Sequence, residues 1–223
     1  MPMNSKLKPK IRFKGFADDW EQRKFGEVLI SIPLKDKIVS PYCFGKVEVI
    51  QQGQVPIAGY SNNPAFENFK DVVLFGDHTL SLYKPIRPFL VASDGVKAFR
   101  CDYMYGDYLY RIFEKNLPNN EGYKRYSSIL KEQKIKYTIN KVEQTKISDL
   151  FKNIDNLITL NQCKCDKLVG LKKSLLEKMF PQNNSVIPEI RFRGFNDAWE
   201  QHRLKKLCDI FDGTHQTPNY KDN

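Results

Sequence analysis

Apolar residues recur at Ile147, Leu150 and Phe151, Ile154, Leu157 and Ile158, Cys165, Leu168, Leu171, Leu175 and Met179, the alternating three-and-four spacing of one helix face. Across 140–181 the only glycine is Gly170, and the first proline is Pro181, which stops the run. Asn140 followed by Glu143 predicts a capping box: the Asn side chain accepts from first-turn N–H groups while Glu143 reaches back to the Asn140 N–H. A helix of about 40 residues at 1.5 Å each is about 60 Å long. A preceding domain cannot cover so long a seam, so the pattern predicts pairing with a second rod. The seam comprises Ile147, Leu150, Ile154, Leu157, Leu168, Leu171 and Leu175, with Asn161 as the polar residue that fixes register and partner number.

Before the rod the period changes. Short β-type runs at 46–51, 55–60, 71–75, 80–83, 89–92 and 96–100 are separated by glycines and prolines, with a strand-like 11–13 and a helix or strand at 25–30 ahead of them. Helical spacing begins at Asp107, and 122–130 is a second short helix. The fold class predicted is α+β: a mostly β domain with short helices, followed by one long coiled-coil-forming helix.

A repeat brackets this arrangement. PKIRFKGFADDWEQRKFGEVL at 9–29 returns as PEIRFRGFNDAWEQHRLKKLC at 188–208, at a constant offset of 179 residues. A period this long is too great for a solenoid unit and reads as a duplicated domain of which only the opening is present the second time. Four segments follow: 1–30 holding the first copy, 31–138 a β domain, 139–181 the spacer helix, and 182–223 holding the second copy and the start of a further domain. Trp20 is either a core anchor or an interface anchor, core being the commoner case for tryptophan.

The formal net charge of +10 adds a partner class, since such a surface meets polyanions, most often nucleic acid. Five cysteines at 43, 101, 163, 165 and 208 are odd in number and show no CxxC framework, which favours reduced thiols and a cytoplasmic setting. No apolar h-region opens the chain and no window approaches 18 apolar residues, so neither secretion nor a membrane span is indicated.

Candidate catalysis is thin. Asp77, Asp94 and Lys97 are the nearest approach to a nuclease-type metal centre, but each acid sits beside glycine where a turn places it. There is no GxSxG, no Walker-type loop and no cofactor-binding motif, so no cofactor or metal is expected and the chain is read as non-catalytic. A DNA-reading surface is easier to assemble. Gln51, Gln52 and Gln54, then Ser61, Asn62 and Asn63, sit in glycine- and proline-bounded loops, where amides can pair with adenine edges. The 75–79 turn adds His78 and Thr79. Lys46, Lys70, Lys84, Arg87, Lys97 and Arg100, with Lys124, Arg125 and Tyr126, are placed to grip phosphates.

Four features together resemble the specificity (S) subunit of type I restriction-modification systems: the 11–22 segment with its copy at 190–201, the Glu143-Gln144-x-Lys146-Ile147 helix entry, the apolar rod, and the Asp212-Gly213-Thr214-His215-x-Thr217-Pro218 opening of a second domain. In that family two target recognition domains each read half of a bipartite DNA site, and long helices pair antiparallel to hold them at a fixed spacing. The resemblance implies that 31–138 is a recognition domain for double-stranded DNA, and that 139–181 docks methyltransferase (M) subunits. The restriction (R) subunit then joins through the complex. With one recognition domain, the chain is expected to pair with a second half-subunit, most simply a second copy. Two alternatives are an interaction protein that binds M or S subunits without reading DNA, and an autonomous metal-dependent nuclease.

Overall fold

The computed structural model describes residues 7–183 and 185–209, and divides into two units, 1–156 and 157–223. The 212–218 opening of a further domain, with His215, lies outside the described residues.

The first unit is built on three sheets. Strand β1 (Glu21–Lys24) leads into helix α1 (Phe25–Val28) and strand β2 (Ile30–Ile32); β3 (Val47–Ile50) and β4 (Ile57–Ser61) form a hairpin. Next come β5 (Val73–Gly76), β6 (Leu82–Tyr83), β7 (Phe89–Val91) and β8 (Val96–Arg100). Helices α2 (Gly106–Lys115) and α3 (Tyr126–Glu132), strand β9 (Lys134–Tyr137) and helix α4 (Lys141–Lys178) complete the order. The strands join as β2-β8-β5-β6, β4-β3-β7 and β1-β9, antiparallel throughout except for β3 with β7. This is the mixed α+β architecture predicted, and all six β-type runs carry strands.

Two apolar clusters hold it. Phe25, Phe75, Phe99 and Phe113 meet at the centre of the larger, where α2 lays Tyr108, Leu109, Ile112 and Phe113 against β5 and β8. Ile50, Leu74, Phe89, Val91 and Ala98 form the second, between the two larger sheets. Fully burying a side chain of this kind is worth roughly 1.5–3 kcal/mol. The Tyr108 hydroxyl accepts from the Thr138 N–H at 3.2 Å, and burial pushes its phenol up to about 12.

Several expectations are corrected. Residues 11–13 form no strand, and the sheet contribution of the first repeat copy comes later, where Glu21 pairs with Tyr137 and Lys24 with Lys134. The capping box is half right. Asn140 Oδ1 accepts from Val142 N at 3.0 Å and Glu143 N at 3.1 Å, but the Glu143 carboxylate turns to Arg12 and the Asn140 N–H donates to Thr138 Oγ1 instead. A guanidinium offers a fully ionised carboxylate a stronger, two-pronged partner than one backbone N–H.

The first turns of α4 belong to the unit's own packing. Glu143, Gln144 and Ser148 are buried, and Ile147 packs against the larger core, so Ile147 is not part of a free seam. Gln144 bonds Tyr103 O at 2.7 Å, Thr138 O at 2.8 Å and Tyr105 N at 3.1 Å. Beyond, the apolar side chains emerge: Leu150, Phe151, Ile154 and Leu157 are exposed, Leu157 by 58%.

The second unit contains the rest of α4 and the second repeat copy. Leu168 and Leu171 are exposed and Leu175 is half-buried. Asn161 donates from Nδ2 to Leu157 O at 2.8 Å within its own helix. After Pro181 the chain returns to α4: Ile190 N bonds Lys178 O at 2.9 Å, and Trp199 stands edge-on to Phe180 with ring centroids 5.6 Å apart. No helix among the described residues is long and apolar enough to cross a membrane.

Candidate nucleic-acid interface

Strand direction sorts the sequence-derived candidates. The β3–β4 loop (51–56), the β5–β6 turn (77–81) and the β7–β8 turn (92–95) are interlocked by hydrogen bonds, and the 121–125 loop joins them. Lys46, Asn62 and Asn63 stand at the opposite end of the β3–β4 hairpin, where Asn62 Oδ1 accepts from Lys46 N at 3.1 Å. Lys70, Lys84 and Arg100 stand at the opposite end of the β6-β5-β8 ladder. The predicted surface is therefore at least two surfaces.

The interlocked end has a defined geometry. His78 N donates to Gln52 Oε1 at 3.3 Å, Gly53 N to Ser81 Oγ at 2.9 Å, and Thr79 Oγ1 lies 2.9 Å from Ser81 Oγ. A Cβ on Gly76 would stand 2.3 Å from Ser81 Oγ and 2.5 Å from Thr79 Oγ1, and one on Gly95 2.6 Å from Gln52 Nε2. Glycine is needed at both positions because the loops approach this closely. Leu80 takes the left-handed backbone conformation (φ 57°), which closes the turn with Leu80 N on Gly76 O at 3.0 Å. His78 stacks on Tyr123 at 4.4 Å with 5° between the rings, and its Nδ1 lies 3.0 Å from Lys124 O. A carbonyl only accepts, so Nδ1 carries the proton in this bond.

Roles within this end follow. Gln51 Nε2 bonds Val55 O at 3.0 Å across its own loop, and Gln52 is wedged behind the 76–81 turn, so both glutamines shape loops rather than face outward. Gln54 and Thr79 are exposed, and His78 is half-exposed. Lys97 Nζ donates to Asp94 O at 2.6 Å, Lys124 Nζ meets Glu121 at 2.6 Å, and Arg125 is exposed. Ser81 and Tyr123 were missed in the sequence; Tyr123, 85% exposed, sits in Gly-Tyr-Lys-Arg-Tyr, an aromatic interleaved with bases that could have flagged it.

Tyr126 is corrected outright. It is 1% exposed, and its hydroxyl accepts from Glu121 N at 2.8 Å and donates to Gly122 O at 2.6 Å, so it holds the 120–126 loop from inside. Lys84 is turned inward too: Nζ donates to Lys70 O at 2.6 Å, and burial lowers its pKa despite nearby Asp107 and Asp71. Arg87 and Arg100 are paired, with Glu48 at 3.5 Å and with Asp102. Asp77 is 3% exposed and ties the β5–β6 turn to α3, its Oδ1 accepting from Ser127 N at 2.9 Å. It does not join Asp94 and Lys97 in a metal centre, and no group of three metal-ligating side chains occurs among the described residues.

An α+β unit with interlocked polar loops at one end, followed by a long helix, is the class of molecule defined here. No family model and no curated protein matches the sequence. Among solved structures it is similar to the type I restriction-modification system S subunit from M. genitalium, at 17% identity and a TM-score of 0.47 over 73% of this chain and 46% of that one. It is also similar to the HsdS subunit from Thermoanaerobacter tengcongensis, at 16% identity and a TM-score of 0.45 over 78% of this chain and 47% of that one. The chain spans about half the length of these two structures.

Proposed function

We propose that this chain is a DNA sequence-recognition module of the type I specificity kind, reading one half of a bipartite site and presenting α4 to methyltransferase subunits. The observation that carries the reading is the interlocked end of the first unit, where Gln54 and Thr79 are exposed, His78 is half-exposed, and Lys97, Lys124 and Arg125 stand alongside. Hydrogen-bonding side chains suit base edges in the major groove, and the cations suit the flanking phosphates. The motifs of the repeat and of the α4 entry, with a net charge of +10, support the same reading. The exposed apolar stretch of α4 supports pairing of two copies, each reading one half-site of a symmetric target.

Mapping of methylated sites in DNA from cells carrying this chain with a methyltransferase subunit tests the reading. The expected result is one interrupted, palindromic motif. Assembly with the methyltransferase but no sequence-dependent DNA binding would replace it with a pure interaction role, and magnesium-dependent cleavage by the isolated chain would replace it with a nuclease.

A further inference from the structure

The two repeat copies share a local fold and several of its hydrogen bonds. Trp20 N donates to Leu7 O at 2.8 Å, and Trp199 N, 179 residues on, donates to Val186 O at 2.8 Å. Arg12 Nη1 donates to Asp18 O, and Arg191 Nη1 to Asp197 O. Gly15 and Gly194 both turn the chain in the left-handed region, at φ 94° and 98°. Glu21 bonds Arg23, and Glu200 bonds His202.

The surroundings of the copies differ. The first copy clasps a strand–helix corner formed by β9 and the start of α4. Arg12 makes two hydrogen bonds to Glu143, Phe16 lies under Lys146 Nζ at 5.3 Å, Trp20 lines a groove with Ile147 and Phe151, and residues 21–24 pair with β9. In the second copy the equivalent groups face outward. Arg191 has no carboxylate partner among the described residues, Phe195 is 64% exposed, and residues 200–203 lie in no strand. Ile190, Arg191, Phe192 and Trp199 instead line an open apolar groove of about 510 Å³ against the last turns of α4.

We infer that residues 186–203 form a second clasp, and that its occupant is the 134–151 corner of a second copy of this chain. The inference rests on the pairing of two copies proposed above. Charge and shape select the occupant: Arg191 matches Glu143, Phe195 matches Lys146, Trp199 matches Ile147 and Phe151, and 200–203 match β9. Within a pair, two clasps compete for each corner, and the exchange costs little because each contact broken is remade by its duplicate.

The test uses the full chain and its self-association, followed by light scattering and sedimentation. Arg12→Ala releases the corner from its own clasp and should tighten association at least about tenfold, a gain that added Arg191→Ala abolishes and added Arg193→Ala leaves intact. A gain that survives Arg191→Ala, or no gain in a folded Arg12→Ala chain, overturns the inference. Should Arg12→Ala fail to fold, a chain with Phe195→Cys mixed with one carrying Lys146→Cys, the exposed native cysteines replaced by serine, should form an interchain disulfide under mild oxidation. Pairing without that cross-link overturns the second clasp alone, whereas a monomeric parent chain overturns the pairing and the clasp with it.

Discussion

Arg12 and Glu143 stand 131 residues apart in sequence and meet through two hydrogen bonds, Nε to Oε1 at 2.7 Å and Nη2 to Oε2 at 2.9 Å. The Glu143 side chain is wholly buried. Burial, the largest single influence, would raise its pKa, but the Arg12 hydrogen bond, Thr138, the Arg12 charge and Trp20 together outweigh it and hold the carboxyl below its ordinary value. The Trp20 indole N–H, buried beside it, makes no hydrogen bond of normal geometry among the described residues. Removing the guanidinium leaves a buried carboxylate unpaired, so Arg12→Ala should cost about 3 kcal/mol in urea denaturation.

The same pair sets an acid limb. A carboxyl whose folded pKa lies below its unfolded one contributes stability above the unfolded value and loses it as pH falls through the folded value. Stability of the parent chain should therefore decline as pH falls below the ordinary carboxylate range. Glu143→Gln, which has no charge to lose, should show a flatter decline when unfolding free energies are measured across that range.

Tyr126 separates a structural from a DNA-contacting role. Its hydroxyl is hydrogen-bonded inside the 120–126 loop, so Tyr126→Phe should destabilise the first unit by about 1–2 kcal/mol. The salt dependence of DNA binding should not change. A shallower salt slope with unchanged thermal stability would return Tyr126 to the surface.

How far the sequence could be read depended on the range of the signal. Local periodicity located β3 to β8, α2 and α4, because alternation and turn residues are written within a few positions. The pairing of β1 with β9 was not legible, since the registry of Glu21 with Tyr137 depends on a return of the chain that no local pattern encodes. Side-chain direction was equally hidden. Gln52 and Gln54 look alike in a glycine-bounded loop, yet one is wedged behind Gly95 and the other faces solvent. Tyr126 was mistaken for a surface residue because Lys124 and Arg125 precede it, whereas the start of α3 turns it inward.

Gly76 and Gly95 set the spacing of the interlocked loops, so each should resist even a methyl group. Gly76→Ala drives a Cβ into two hydroxyls and should cost roughly 1–3 kcal/mol, the usual range for overpacking. Gly95→Ala presses on the Gln52 amide, which in turn fixes His78 N. Both variants should weaken sequence-dependent DNA binding more than non-specific binding, measured as the affinity ratio between the mapped motif and unrelated duplex. Equal losses on both duplexes would mean that the 76–81 turn is remote from the bases.

The outward groups at that end should divide by what they touch. Cations on phosphates release counterions, so Lys97→Ala, Lys124→Ala and Arg125→Ala should each lower affinity for all duplexes and reduce the salt slope by about 1. Gln54 and Thr79 carry no charge, so Gln54→Ala and Thr79→Ala should leave the slope intact while relaxing the motif at one position, at a discrimination cost of about 1–3 kcal/mol. Lys84→Ala serves as the internal contrast. It stands at the opposite end of the β6-β5-β8 ladder from Lys97 and Lys124, turned inward onto the Lys70 and Pro85 carbonyls, so its loss should appear in stability and not in the salt slope. A slope that changes for Lys84 and not for Lys124 would move the DNA surface to the opposite end of the β6-β5-β8 ladder.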